Sequence, residues 1–236
     1  MISNLPHRFI INKRIFSFSS SSELINRIEN FNGALIAVGA EKLLNDDKEL
    51  TSLINENIAY CDGYGAVLAL KRAGLVSAKI PGAQLWLEIL KAYENEKSVY
   101  LIGASQDVIE ATFKKLRKDF PLLNILGHRN GFFKNDSDVI DEIKKLKPGM
   151  VFVAMGSPKQ EYFIKKLMNY HKALYMGLGG SFDLYTGNAS KVPNWWNKFF
   201  KWEGLYRLFN DILNINRIKR QKIIFRYTYY LLTKKF

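Results

Sequence analysis

Asp62 is the residue whose neighbours best suit it to accept a proton. It lies in AYCDGYGAVLALKR, residues 59–72, between an apolar approach and the first of two glycines. If that approach is a strand, the carboxylate stands at the strand end and faces a cleft. Transfer of a group onto a hydroxyl needs something to take the hydroxyl proton, and a positioned carboxylate can do it. The competing reading is an Asx-turn, in which Asp62 only bonds the backbone just after it.

Two further stretches combine polar side chains with bare backbone. In MGSPKQE, residues 155–161, a strand is expected to end at Gly156, with Ser157 as helix N-cap and Pro158 at the first helical position. A helix start accounts for Ser, Pro and Glu but does not require Lys159 and Gln160, which would stand beside amides that favour anions. In GLGGSFDLYTGNASKVP, residues 177–193, Gly179 gives backbone access, Asp183 could bind a sugar hydroxyl or cap its own turn, and Lys191 follows. Gly103 and Gly156 close two other apolar runs. Each glycine alone suits a tight corner, and their recurrence at strand ends suggests a ligand cleft. Neither G-x-G-x-x-G nor a P-loop occurs. His7, His128 and His171 are scattered and read as structural, and no signature asks for a metal.

The elements that would position these residues are legible as alternation. Residues 34–40, 98–104, 123–128, 149–156 and 173–180 read as strands, most of them almost continuously apolar. Such runs fit a parallel sheet covered on both faces. Segments 65–72, 82–95, 107–120, 136–146 and 158–170 read as helices, and another begins near Glu23 with a serine cap. The fold class expected is α/β, a parallel sheet flanked by helices with right-handed crossovers.

The chain has 236 residues, one cysteine (Cys61) and a net charge of +13. A single thiol allows no internal disulfide and fits a reducing, cytoplasmic setting. No signal peptide and no apolar run long enough to span a bilayer is read. From Trp195 onward ten Lys/Arg stand against two Asp/Glu, with twelve of the 32 aromatics, so two parts are expected: a core over 1–194 and a basic aromatic appendage over 195–236. Leu205, Leu208, Phe209, Ile212, Leu213 and Ile215 fall at helical spacing among basic neighbours. Such a segment suits an anionic membrane surface. The alternative is a terminal helix packed on the core with its basic face in water. No nucleic-acid-binding module is recognisable.

CDGYG, GASQDVIEATFKKLRKDFPLLNILGHRNGFF, VAMGSPKQE, GLGGSFDLYTG and LYRL, in this order, resemble the WecG/TagA/CpsF family of bacterial glycosyltransferases. AEKLL, YMGLGG and RIKRQ resemble its enterobacterial-antigen branch. The resemblance spans about 34–226. It implies a Rossmann-like α/β core and an inverting, metal-independent transfer of an N-acetylmannosamine-type sugar, N-acetylmannosaminuronate or a relative, from a UDP donor to GlcNAc on undecaprenyl diphosphate. The UDP-sugar is then a substrate, and no cofactor is expected. Asp62 matches the family's base and Gln160 its substrate-contacting glutamine. The tail matches an appendage that docks on the inner face of the cytoplasmic membrane and closes the site, with Arg207, Arg217 and Arg220 neutralising the leaving diphosphate. A homo-oligomer is also in keeping with the family. Three positions near the implied sugar pocket depart from its pattern: Gly39 replaces an asparagine, Lys79 an arginine, and Gln84 an acidic residue. A degenerate site would instead leave a non-catalytic Rossmann-like protein that binds nucleotide sugar or RNA.

Overall fold

The computed structural model describes residues 4–188, together with Tyr227 and Thr233. The tail boundary, Lys191, Arg207, Arg217 and Arg220 therefore lie outside the described residues. A hairpin opens the chain, β1 (His7–Ile10) against β2 (Lys13–Phe16), followed by α1 (Ser21–Arg27). The helix begins where expected because Ser20 accepts the amide of Glu23 through its side chain.

The central sheet has six parallel strands: β3 (Gly33–Val38), β4 (Ile58–Cys61), β5 (Val99–Gly103), β6 (Ile125–Arg129), β7 (Met150–Ala154) and β8 (Leu174–Gly177). Their spatial order is β4-β3-β8-β7-β5-β6. The strands alternate between two buried clusters. Leu35, Tyr60, Leu101, Phe152 and Met176 face one, whereas Ile36, Ala59, Ile102, Val153 and Tyr175 face the other. Both faces are thus covered, which is why the runs read as continuously apolar.

Helices α5 (Gly82–Ala92), α6 (Gln106–Asp119) and α9 (Ser181–Thr186) join α1 on the first face. Helices α3 (Lys48–Glu56), α4 (Tyr64–Arg72), α7 (Asp136–Leu146) and α8 (Lys159–Met168) cover the second. A short α2 (Ala40–Leu43) lies between β3 and α3. The expected Rossmann-like α/β core is present.

Beyond β3 the chain passes to the second face, and beyond the neighbouring β8 it passes to the first. Adjacent connections that leave in opposite directions open a crevice at the carboxyl ends of the strands, where ligands of such sheets bind. Among the described residues no helix is long and apolar enough to cross a membrane.

Three local expectations need correction. Ser157 does not cap α8, because Pro158 takes the N-cap position after a cis Ser157–Pro158 peptide and no side chain caps the helix. The Gln160 amide goes instead to the Gly156 carbonyl, at 2.9 Å. Helix α5 ends at Ala92, not 95, as the amides of Glu96 and Lys97 both turn back to Tyr93. The hairpin and α3 stand where no element was expected.

Candidate active site

Asp62 follows the last residue of β4, and its amide continues the ladder to the Val38 carbonyl at 3.1 Å. Its carboxylate does not close an Asx-turn. Oδ1 accepts the amide of Gly82, the first residue of α5, at 2.6 Å. That helix has no side-chain cap of its own, so Asp62 satisfies one of its open amides from another element. The approach is close because Gly82 has no side chain. A Cβ there would lie 3.0 Å from the Tyr60 hydroxyl and 3.4 Å from Asp62 Oδ1. Among the described residues Oδ2 accepts no hydrogen bond. One carboxylate oxygen is therefore fixed and the other is available, and Asp62 is only half-buried.

Around Asp62 the surface is mostly backbone. Gly39 ends the β3 side, and a Cβ on Gly63 would reach only to 3.9 Å from the Gly39 Cα. Gly39, Gly156, Gly179 and Gly180 all have open space where a Cβ would stand. Gly156 (φ 77°) and Gly179 (φ 56°) also need the left-handed backbone that glycine adopts without cost. The Ile80 amide bonds the Cys61 carbonyl at 2.8 Å, which brings Lys79 beside the same rim. There its Nζ lies 5.0 Å from the Tyr64 ring centre. Gln84 is exposed on the first turn of α5.

The other residues singled out from sequence divide. Asp183 lies on α9 and its carboxylate makes no hydrogen bond among the described residues, so it does not cap its turn. Lys159 is exposed at the start of α8. Gln160 is buried at 3% exposure, with Oε1 accepting the Gly179 amide at 2.9 Å. Gly103 stands apart. Four strand spacings of about 4.8 Å separate β4 from β5. A Cβ at Gly103 would also fall 2.2 Å from the Ala154 carbonyl oxygen, so close backbone packing explains that glycine. The histidines are engaged structurally: His7 with the Leu5 carbonyl, His128 with Glu110 and His171 with the Pro148 carbonyl.

Burial shapes the chemistry behind Asp62. The Tyr60 hydroxyl is fully buried without a hydrogen-bond partner among the described residues, and burial, reinforced by the Asp62 charge, pushes its pKa well up. Burial likewise pushes the Cys61 thiol up to about 11, with a smaller contribution from Asp62. Both groups stay protonated near neutrality.

Sequence reasoning missed one charged group altogether. Lys42 Nζ lies 2.9 Å from Glu161 Oε1, and the two side chains are 14% and 4% exposed. AEKLL contained the lysine, but nothing in it indicates a partner 119 positions away on α8.

The model of the Glycosyl transferase WecG/TagA/CpsF family matches residues 10–235. A Bacillus spizizenii protein described as N-acetylglucosaminyldiphosphoundecaprenol N-acetyl-beta-D-mannosaminyltransferase is 34% identical over 209 residues, 85% of this chain and 80% of its own length. A parallel sheet with an aspartate at its β4 end, a glycine-lined crevice beside it and a family match along nearly the whole chain lead to one assignment: the protein belongs to the WecG/TagA/CpsF family of glycosyl transferases.

Proposed function

We propose that the protein transfers an N-acetylmannosamine-type sugar from a UDP donor to GlcNAc carried on undecaprenyl diphosphate, with inversion. The family match and the Bacillus spizizenii relative's name support the donor and acceptor classes. The observation that carries the mechanism is the Asp62 carboxylate, held through one oxygen by the Gly82 amide and open at the other.

In a single displacement the acceptor hydroxyl attacks the anomeric carbon from the face opposite UDP. The new C–O bond forms as the bond to the diphosphate breaks. The hydroxyl proton passes to Asp62, and the bonding pair leaves on the diphosphate oxygen. Bare backbone at Gly39, Gly63, Gly179 and Gly180 gives the nucleotide sugar room beside that carboxylate. Lys79 supplies positive charge at the same rim, and Arg207, Arg217 and Arg220 are the residues we assign to the departing diphosphate. In this reading the charge is neutralised without a metal, so a chelator leaves turnover unchanged. The basic tail places the enzyme on the cytoplasmic face of an anionic membrane, where the lipid-linked acceptor lies.

The test is release of UDP from a panel of UDP-sugars in the presence of the lipid-linked acceptor. Asp62→Asn keeps the oxygen that meets the Gly82 amide but removes the base. Turnover is expected to fall by about 10²–10⁴-fold while UDP-sugar binding is retained. Full activity in this variant would overturn the assignment of the base.

A further inference from the structure

A line of hydrogen bonds runs beneath the crevice between β3 and β8. Lys42 Nζ, on α2, donates to the Ala37 carbonyl at 2.9 Å and pairs with Glu161 Oε1 at 2.9 Å. The same carboxylate oxygen accepts the Gln160 side-chain amide, Nε2, at 3.0 Å. Gln160 Oε1 then accepts the backbone amide of Gly179 at 2.9 Å. The line starts on β3, just before Gly39, and finishes in the loop that follows β8.

Direction is built into this line. An ionised carboxylate only accepts hydrogen bonds, so Glu161 obliges Gln160 to turn its NH₂ inward. The Gln160 oxygen must then face outward, toward Gly179. Gly177 leaves the room that the Gln160 side chain occupies, since a Cβ there would come within 2.5 Å of its Nε2. Glu161 is 3% exposed, and its second oxygen, Oε2, has no hydrogen-bond partner among the described residues. A buried carboxylate so sparsely bonded depends on Lys42 for its charge. Gly179, in contrast, has a left-handed backbone, and a Cβ there would meet nothing within 4 Å.

We propose that the Lys42–Glu161 ion pair is a positioning device for the donor: it sets the orientation of the Gln160 amide, which holds the Gly179 turn at the mouth of the crevice. The donor part rests on the function proposed above, whereas the holding of Gly179 does not. Neither Lys42 nor Glu161 touches the reacting atoms in this scheme. Their loss changes where the nucleotide sugar sits and leaves proton transfer at Asp62 alone.

Two measurements on the full chain test this. The first is amide hydrogen exchange at Gly179 without substrate. Glu161→Gln frees the Gln160 amide to reverse, and Gly179 exchange is expected to quicken by about tenfold, the equivalent of one lost hydrogen bond to a structured loop. Amides of β5 serve as the unaffected reference. The second is steady-state kinetics below the melting temperature. For Glu161→Gln the donor KM is expected to rise about tenfold with kcat within about twofold, and Lys42→Arg is expected to stay close to the parent. Lys42→Met strands a buried carboxylate and is made together with Glu161→Gln to preserve folding. A merely structural pair would lower the melting temperature without moving KM against kcat. Unchanged Gly179 exchange, or unchanged donor KM in folded Glu161→Gln, overturns the proposal. If the parent protein turns over no UDP-sugar, the function reading fails, and the exchange experiment decides the holding of Gly179 by itself.

Discussion

In the mechanism proposed here Asp62 performs two tasks with its two oxygens, and substitutions can separate them. Oδ1 caps α5 through Gly82, while Oδ2 is the oxygen assigned the proton. Asn retains the capping oxygen, so Asp62→Asn is expected to melt close to the parent while losing turnover. Asp62→Ala loses the cap as well, at a further cost of about 0.5–2 kcal/mol in denaturant unfolding. Tyr60, two residues earlier, gives the opposite expectation. Its hydroxyl is buried without a partner among the described residues, an arrangement that costs about 1–3 kcal/mol. Tyr60→Phe is therefore expected to leave stability unchanged or raise it by about 1 kcal/mol, and a clear loss in chemical denaturation would show that the hydroxyl is satisfied after all.

At the scale of elements, what could be read from sequence is what short-range pattern encodes. The buried strands announce themselves by continuous apolar runs, and α7 was legible to the residue because acidic residues open it and lysines close it. The β1–β2 hairpin was not. Its turn, Ile11-Asn12, has φ of 48° and 59°, a conformation usually signalled by Asn-Gly, and here an isoleucine adopts it. The site was legible in part for the same reason. Asp62 and the glycines stand at strand ends, which periodicity locates. Its fastenings, Gly82 to Asp62, Glu161 to Lys42 and Gly179 to Gln160, join distant positions and follow only from the packed sheet. Gly103 shows the converse, since its place at a strand end suggested a ligand and the fold uses it for close packing. Gly103→Ala is expected to cost about 1–3 kcal/mol from its φ of 129° and the contact with Ala154. Donor KM of the folded variant is expected to stay unchanged, and a large KM effect would return Gly103 to the site.

Over the whole molecule, charge is divided unevenly and the chain ties the halves together. Residues 195–236 carry +8 of the net +13. Tyr227, within that part of the sequence, is buried at 3% exposure, and its hydroxyl donates to the Gly65 carbonyl at 3.0 Å on the first turn of α4. Gly65 stands three residues past Asp62, so Tyr227 is fastened close to the candidate base. Truncation before Trp195 is expected to weaken binding to anionic vesicles and to lower turnover, and added salt to weaken the binding of the intact chain. Equal vesicle binding by the truncated protein would show that the anchor lies elsewhere. The same architecture hides the single thiol. Cys61 is 1% exposed behind Asp62, and with its pKa pushed up to about 11 only about one molecule in a thousand carries a thiolate near pH 8. Alkylation of Cys61 in the native protein is therefore expected to be slow, and its rate to report opening of the sheet edge that carries Asp62.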